Sequence, residues 1–385
     1  MMEPTDAQAQ IVEAVGRICD RYDDAYWLAC DTDHRFPDAF VRDIASAGYL
    51  GIAMPESVGG AGLGVTEAAL MMHRIASSGA GMAGVSAVHI NIFGPHPIVL
   101  FGSDEQKQRI LAPLIRGETR CCFGVTEPDA GLDTSSIKTK AERSGNGWVV
   151  NGRKMWTTTA QSATHILLLA RTSAKGKKPT DGLSLFYTAL DRTHVDVREI
   201  AKMGRHAVDT NMLFIDNLPV PADDLIGEEG KGFDQLLHAF NPERILIAAE
   251  AIGVGQDALR RAAKYARERV VFGRPIGQNQ AIQHPLARAW AELEAAWLMT
   301  MKAASLYDAG KPCGVEANAA KYLAAEAAFK ACETAVMTHG GMGYAREFHV
   351  ERLFREVLIA RIAPVSREMI LNFIAEKALG LPKSY

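Results

Sequence analysis

The 385-residue sequence has no glycine-rich phosphate loop: no GxGxxG follows an apolar run, and no GxxxxGK precedes a Ser or Thr. That removes a dinucleotide-binding Rossmann unit and a P-loop. HExxH and GxSxG are missing as well, and with them zinc-protease and nucleophile-elbow chemistry. The six cysteines, at 19, 30, 121, 122, 313 and 332, form no CxxC and no Cys/His metal spacing. No metal is expected, and reduced thiols in a cytoplasmic protein are. A net charge of -3 leaves no basic surplus for nucleic acid or an anionic membrane. No run reaches the ~18 consecutive apolar residues of a membrane span. The N-terminus, with Glu3 and Asp6 and no basic n-region, has neither signal nor transit character.

What is present is a long globular chain, 48% hydrophobic and 23% charged, longer than the ~100 to 200 residues of one domain. From 5 to 116, apolar residues recur at three and four spacings (IVEAVGRI, EAALMMHRI), which predicts helices. MPESVGGAGLG at 54–64 interrupts them as a loop. From 121 to 227, short segments (GWVV, THILLLA, LSLFYTAL, NMLFIDN) bounded by turn signals such as SGNG and DNLPVP predict antiparallel strands. Helical periodicity returns after 230. The fold class is therefore α+β: a helical N-terminal domain over 1–119, a middle antiparallel β domain over 120–229 and a C-terminal four-helix bundle over 230–385. The last helices are more apolar than one surface helix needs, which favours a bundle that also buries subunit contacts over a monomeric one.

Three polar segments stand out. VTEPDAGLDTSS (125–136) and KMWTTTAQSATH (154–165) place a Trp beside hydroxyl and N–H donors, which suits either a planar heteroaromatic ring or a Thr-rich exposed strand. THGGMGYAREFHVERLFREV (338–357) combines glycines that permit close approach with a charged run, Arg346, Glu351, Arg352, Arg355 and Glu356, expected on a solvated helix face. His339 and His349 in it show no acid/base partner and are expected to be structural or on the surface. In NPERILIAAE (241–250), two readings of Glu243 are open. With Asn241 as N-cap and Pro242 at N1, it is a first-turn acid facing the helix dipole; otherwise it is a catalytic base.

VTEPDAGLD, KMWTTTAQSAT, KMGRHAVDTNMLFIDNLPVPADDLIGEEGKGF, RVVFGRPIGQNQAIQ and HGGMGYAREFHVERLFREV, with PESVGGAGLG before them, occur in the order and at about the spacing of the acyl-CoA dehydrogenase family. The chain resembles that family over nearly its whole length. The resemblance implies a homotetrameric flavoprotein holding FAD near a subunit interface. It implies a reaction too: a carboxylate takes the α-proton of an acyl-CoA thioester, a hydride leaves the β-carbon for flavin N5, and electrons pass on to an electron-transfer flavoprotein.

Position by position, the resemblance puts Phe123, Val125, Thr126, Trp156 and Thr158 around the flavin. Arg269, Phe272, Gln280 and Gly341 fall on FAD contacts made from the adjoining subunit, Ser366 and Glu368 on further cofactor positions, and Arg244 with Asn241 beside the substrate. Most members read a Tyr-Glu-Gly-Thr-like tetrapeptide whose Glu is the base; here the same register holds Ala363, Pro364, Val365 and Ser366. A minority, resembling isovaleryl-CoA and long-chain acyl-CoA dehydrogenases, places the base before an arginine on the helix opening the C-terminal domain, where Glu243-Arg244 stands. Pro364 also removes an N–H that helps hold the thioester carbonyl, leaving the flavin ribityl hydroxyl or the Val365 N–H to do so. Leu132 and Met337 depart from a commoner Ser and Gln. Two alternatives remain: a flavin oxidase or monooxygenase on this scaffold, and a catalytically silent flavin- or CoA-binding partner subunit.

Overall fold

The computed structural model describes residues 5–384. Its first region is helical: α1 (Asp6–Cys19), α2 (Asp24–Thr32), α3 (Asp38–Ser46), α4 (Val65–Ile75), α5 (Gly81–Phe93), α6 (His96–Phe101) and α7 (Asp104–Ile115). Sequence-coded caps start several of them. Thr5 with Gln8 and Ser103 with Gln106 form reciprocal capping boxes, and Asp23 accepts from the Tyr26 N–H. The stretch Val65–Phe101 is apolar and long enough to cross a membrane, but 72% of its most apolar window is buried within the fold and a wide turn at Ala76–Ala80 breaks it. It is core.

That turn is built on glycine: φ is +96° at Gly79 and +64° at Gly81, and a Cβ on Gly81 would collide with the Glu356 carboxylate. Breaking the helix there frees buried backbone groups, and the charged run near the C-terminus satisfies them. Arg352 donates to the Gly79 carbonyl at 2.6 Å, and the Ala83 N–H donates to Glu356 at 3.0 Å. Arg352 and Glu356 are each 1% exposed. The expectation of a solvated face is therefore wrong for these two, because the buried turn needs a donor and an acceptor and they supply them. Arg355 continues the seam, reaching Asp31 at 2.9 Å and Glu351 at 2.6 Å.

The middle region is one eight-stranded sheet. Its strands are β1 (Cys121–Gly124), β2 (Lys140–Ser144), β3 (Gly147–Thr158), β4 (His165–Arg171), β5 (Leu183–Ala189), β6 (Val195–Glu199), β7 (Thr210–Pro221) and β8 (Leu225–Ile226), ordered β6-β7-β3-β2-β4-β5-β8 with β1 on β4. Most pairs are antiparallel as expected, but β1 and β2 each run parallel to β4, so the sheet is mixed. DNLPVP, read as a turn signal, is instead the end of β7. Strand β6 pairs only as far as Ile215, so Pro219 and Pro221 lie on the sheet's edge, where the missing N–H costs no ladder bond.

The third region comprises α8 (Gly232–Glu268), a hairpin of β9 (Val270–Val271) and β10 (Arg274–Pro275), then α9 (Gln280–Asp308), α10 (Gly314–His339), α11 (Val350–Val357), α12 (Ile359–Ile362) and α13 (Arg367–Leu379). Small residues let α8 pack closely on both sides. A Cβ on Gly255 would sit 3.0 Å from the Ala328 Cα of α10, and one on Gly253 would sit 2.6 Å from the His73 carbonyl oxygen of α4. His339 and His349 prove structural: both are buried, and His339 Nδ1 lies 2.7 Å from the Ala335 carbonyl oxygen.

Because backbone blocks the space beside Gly253, Gly253→Ala is expected to destabilise the protein by about 1–3 kcal/mol, read as a lower urea midpoint. An unchanged midpoint would show that α8 can shift.

Candidate active site

Helix α8 begins at Gly232, well before Asn241, and runs unbroken through Pro242. Asn241 is therefore no N-cap, Pro242 is not at N1, and Glu243 is not a first-turn acid. Burial of Leu236, Ala239, Glu243 and Leu246 on one face carries the helix across the proline, whose missing N–H forfeits only one bond, to the carbonyl four residues earlier. The helix-dipole account of Glu243 falls with the cap. What remains is a carboxylate 8% exposed whose Oε2 has no hydrogen-bond partner. Burial pushes its pKa up to about 7, against the pull of His89, Arg244 and Lys321, while Glu250 adds to the rise.

These charges come from three helices. Glu250 stands about two turns further along α8 on the same face and is fully buried. It meets Nδ1 of His89, on α5, at 2.5 Å. Burial opposes an imidazolium, yet Glu250 and Glu243 together hold His89 above the ordinary histidine pKa. Lys321 of α10, 1% exposed, donates to the Val365 carbonyl at 2.7 Å and so fixes the turn following Pro364. Arg244 bonds the Asn241 side-chain oxygen at 3.2 Å and lies 5.6 Å from the Phe240 ring.

From His89 an aromatic series leads to the sheet: its ring is 4.8 Å from Phe93, and Phe93 is 5.5 Å from Phe123 on β1. Val125 and Thr126 follow β1, and a buried ion pair anchors them. Lys154 of β3, fully buried, donates to the Val125 carbonyl at 3.0 Å and to Glu127 at 2.9 Å. The Met155 N–H donates to the Thr126 carbonyl at 2.8 Å. Just beyond, the β3–β7 register shifts between Lys154 and Thr157. Trp156 occupies that irregularity at φ +61°, with its side chain 54% exposed. Thr158 resumes the ladder opposite Thr210. Phe123 on β1, Val125 and Thr126 just after it, and Trp156 and Thr158 on β3 are thus tied together through the Lys154 and Met155 bonds, although β1 and β3 are not paired in the sheet.

Other sequence-derived positions lie elsewhere. Phe272 is fully exposed at the tip of the β9–β10 hairpin, Arg269 caps the end of α8, Gln280 starts α9, and Gly341 is exposed in the turn after α10. Ser366 caps α13, accepting from the Met369 N–H at 3.4 Å, while Glu368 pairs with Arg367 on the surface. Leu132 and Met337 are exposed, at 62% and 73%.

Three family models match the chain in succession: the acyl-CoA dehydrogenase N-terminal domain over residues 5–118, the middle domain over 122–218 and the C-terminal domain over 230–379. This chain belongs to the acyl-CoA dehydrogenase family. It is 38% identical to the acyl-CoA dehydrogenase FadE12 of Mycobacterium tuberculosis, covering 100% of this chain and 98% of that one. Among solved structures, butyryl-CoA dehydrogenase of Megasphaera elsdenii superimposes with a TM-score of 0.93 at 29% identity, covering 99% and 100% of the two chains. A glutaryl-CoA dehydrogenase bound to glutaryl-CoA gives 0.94 at 30%, covering 100% and 98%.

Acyl-CoA dehydrogenases are flavin-dependent oxidoreductases, and the residues here fit such a group. An indole 54% exposed on β3, one residue from the Met155 N–H that holds the Thr126 carbonyl of a pinned loop and two from Thr158, offers a flat apolar face with polar groups close in the chain. Sequence reasoning missed His89, Glu250, Lys321 and Arg205. The available signal was an ionisable residue inside an otherwise apolar run: His89 in AVHINIF, where all of α5 is buried, and Glu250 in AAEAIG.

A carboxyl whose folded pKa is raised binds a proton that the unfolded chain has already released. The protein therefore loses stability as pH climbs from about 4.5 to about 7. At about 1.4 kcal/mol per pH unit, that gap is worth about 3 kcal/mol. Glu243→Gln is expected to unfold at higher denaturant than wild type at pH 8 and at the same concentration at pH 4. Equal midpoints at both would mean that Glu243 is not desolvated.

Proposed function

We propose that this chain is an FAD-dependent acyl-CoA dehydrogenase that forms a trans-2-enoyl-CoA, with Glu243 as its α-proton base, placed as in the isovaleryl-CoA and long-chain members. The observation that carries this is the buried Glu243 carboxylate, with Oε2 unpartnered and a pKa near 7. A base is most effective when its pKa lies near the working pH, and burial without a direct ion pair provides that. The tetrapeptide at 363–366 has no carboxylate to compete for the role.

Bound FAD would supply the hydride acceptor. The chain's own residues do the rest: Trp156, Phe123, Val125, Thr126 and Thr158 hold and orient the ring, with Ser366 and Glu368 as further cofactor positions. Glu243 Oε2 takes the α-proton, and the apolar surroundings exclude water. Arg244 and Asn241 flank the thioester side. Exposed apolar side chains on the C-terminal region, among them Phe272, Trp290 at 59% and Tyr344 at 89%, support a homotetramer. In it Arg269, Phe272, Gln280 and Gly341 would reach a neighbouring subunit's cofactor. An electron-transfer flavoprotein is the proposed acceptor. The six cysteines, all free and buried, suit a reducing cytoplasm.

The test is anaerobic mixing of the yellow protein with straight and branched acyl-CoAs while flavin absorbance is followed. Wild type is expected to bleach, and Glu243→Gln to keep its flavin yet lose at least about 100-fold in rate. Turnover by Glu243→Gln within a few-fold of wild type would remove Glu243 as base, and oxygen consumption without another acceptor would indicate an oxidase. Since the ionised carboxylate is the active form, kcat/KM is expected to rise with pH and level off above about 7; a flat profile from pH 5 to 9 would contradict this.

A further inference from the structure

We propose that His89, clamped by Glu250, is the positioning residue that presents a fixed positive charge to Glu243 and keeps the base ionised inside an apolar helix packing. The inference rests on the reading of Glu243 as base and adds a residue to it.

The groups that face Glu243 are few. Helix α8 itself contributes Arg244 and Glu250, α5 contributes His89 and α10 contributes Lys321. The other two cations are held by neutral oxygens: Arg244 donates through a terminal nitrogen to Asn241 and lies against Phe240, with its Nε buried and unpartnered, and Lys321 donates to the Val365 carbonyl. His89 differs. Its Nδ1 is held at 2.5 Å by a carboxylate that is itself fully buried, while its Nε2 is buried with no partner. Glu243 Oε2 and Glu250 Oε2 share that condition. Three unpartnered polar atoms on side chains that act on one another are costly unless charge compensates them. The imidazolium is what can compensate both carboxylates.

The arrangement is also poised. His89 faces Glu250, Glu243 and, from the loop between β6 and β7, Arg205, which bonds Ser86 on the same helix at 3.0 Å. Arg205 repels the imidazolium and the two carboxylates hold it. Glu250 therefore serves His89 rather than the substrate: it fixes the ring through one nitrogen and sustains the charge that Glu243 feels.

The experiment is an infrared titration of the protonated-carboxyl band in FAD-loaded protein, assigned to Glu243 by its absence in Glu243→Gln. In His89→Gln, which keeps a donor for Glu250 but no charge, the Glu243 midpoint is expected to rise by about one pH unit or more. His89→Lys, which restores a cation, is expected to bring it back. The double variant His89→Gln/Glu250→Gln removes both charges of the clamp; its midpoint is expected above that of wild type, by less, because repulsion from Glu250 leaves as well. A Glu243 midpoint in His89→Gln and in the double variant coinciding with wild type overturns the proposal. The band reads His89 whether or not the protein turns over. Failure of Glu243→Gln to abolish bleaching would defeat the base assignment alone.

Discussion

The burial of charge along α8 is the constraint to which the rest of the molecule answers. Glu243 and Glu250 lie on one face of a helix whose other buried residues are mostly Ala, Ile, Leu, Val and Gly, and whose third buried carboxylate, Asp257, is paired within the helix by Arg260 and Arg261. Two carboxylates removed from water are costly unless cations come to them. They are met from outside the helix by His89 on α5, Lys321 on α10 and Arg205 on the β6–β7 loop, which also faces Glu356 of α11. Each sits on a different element, so the packing of four parts of the chain is tied to the electrostatics of one helix.

The same logic explains the seam between the first and third regions. The break at Gly79–Gly81 strips backbone groups of their helical partners in a buried place, and Arg352 and Glu356 replace those partners. The break also lets α5 start afresh in a new direction, and α5 is the helix that carries His89. A glycine turn in the N-terminal region, an ion pair near the C-terminus and the surroundings of Glu243 are thus one connected arrangement. Its rigidity matters, because a base must meet its proton within hydrogen-bonding reach.

Much of this was legible in the chain. Period and turn signals gave the helical, strand, helical order, and the polar segments 125–136 and 154–165 marked the loop that carries Thr126 and the end of β3 that carries Trp156 and Thr158. What failed did so for local reasons. Asn241-Pro242-Glu243 has the composition of a helix start, but a proline can be carried inside a helix when apolar neighbours on both sides are buried, as Leu236, Ala239 and Leu246 are. DNLPVP has the composition of a turn, yet an edge strand accepts prolines. ERLFREV looks solvated because its neighbours in space, Gly79 and Ala83, lie more than 260 residues earlier. His89 and Glu250 are 161 residues apart, and no spacing rule links them.

With Glu243 of α8 proposed as the base, the turn at 363–366 is left with a different task. With Pro364 it has neither a carboxylate nor that N–H, and its Val365 carbonyl is held by Lys321. The lysine's neighbours include Glu243, Arg244, Glu326 and Glu368, so a single ammonium joins the turn to the surroundings of Glu243. Burial and Arg244 move Lys321 down to about 8, against the pull of its carboxylate neighbours and close to the value of about 7 for Glu243. Near neutral pH both groups therefore stand close to their points of charge change: as pH rises Glu243 gains its negative charge and Lys321, slightly later, loses its positive one. A carboxylate held by a full, exposed ion pair would be ionised but a poor base; one buried among apolar side chains alone would stay protonated. Partial compensation by groups that have other partners keeps Glu243 between those limits.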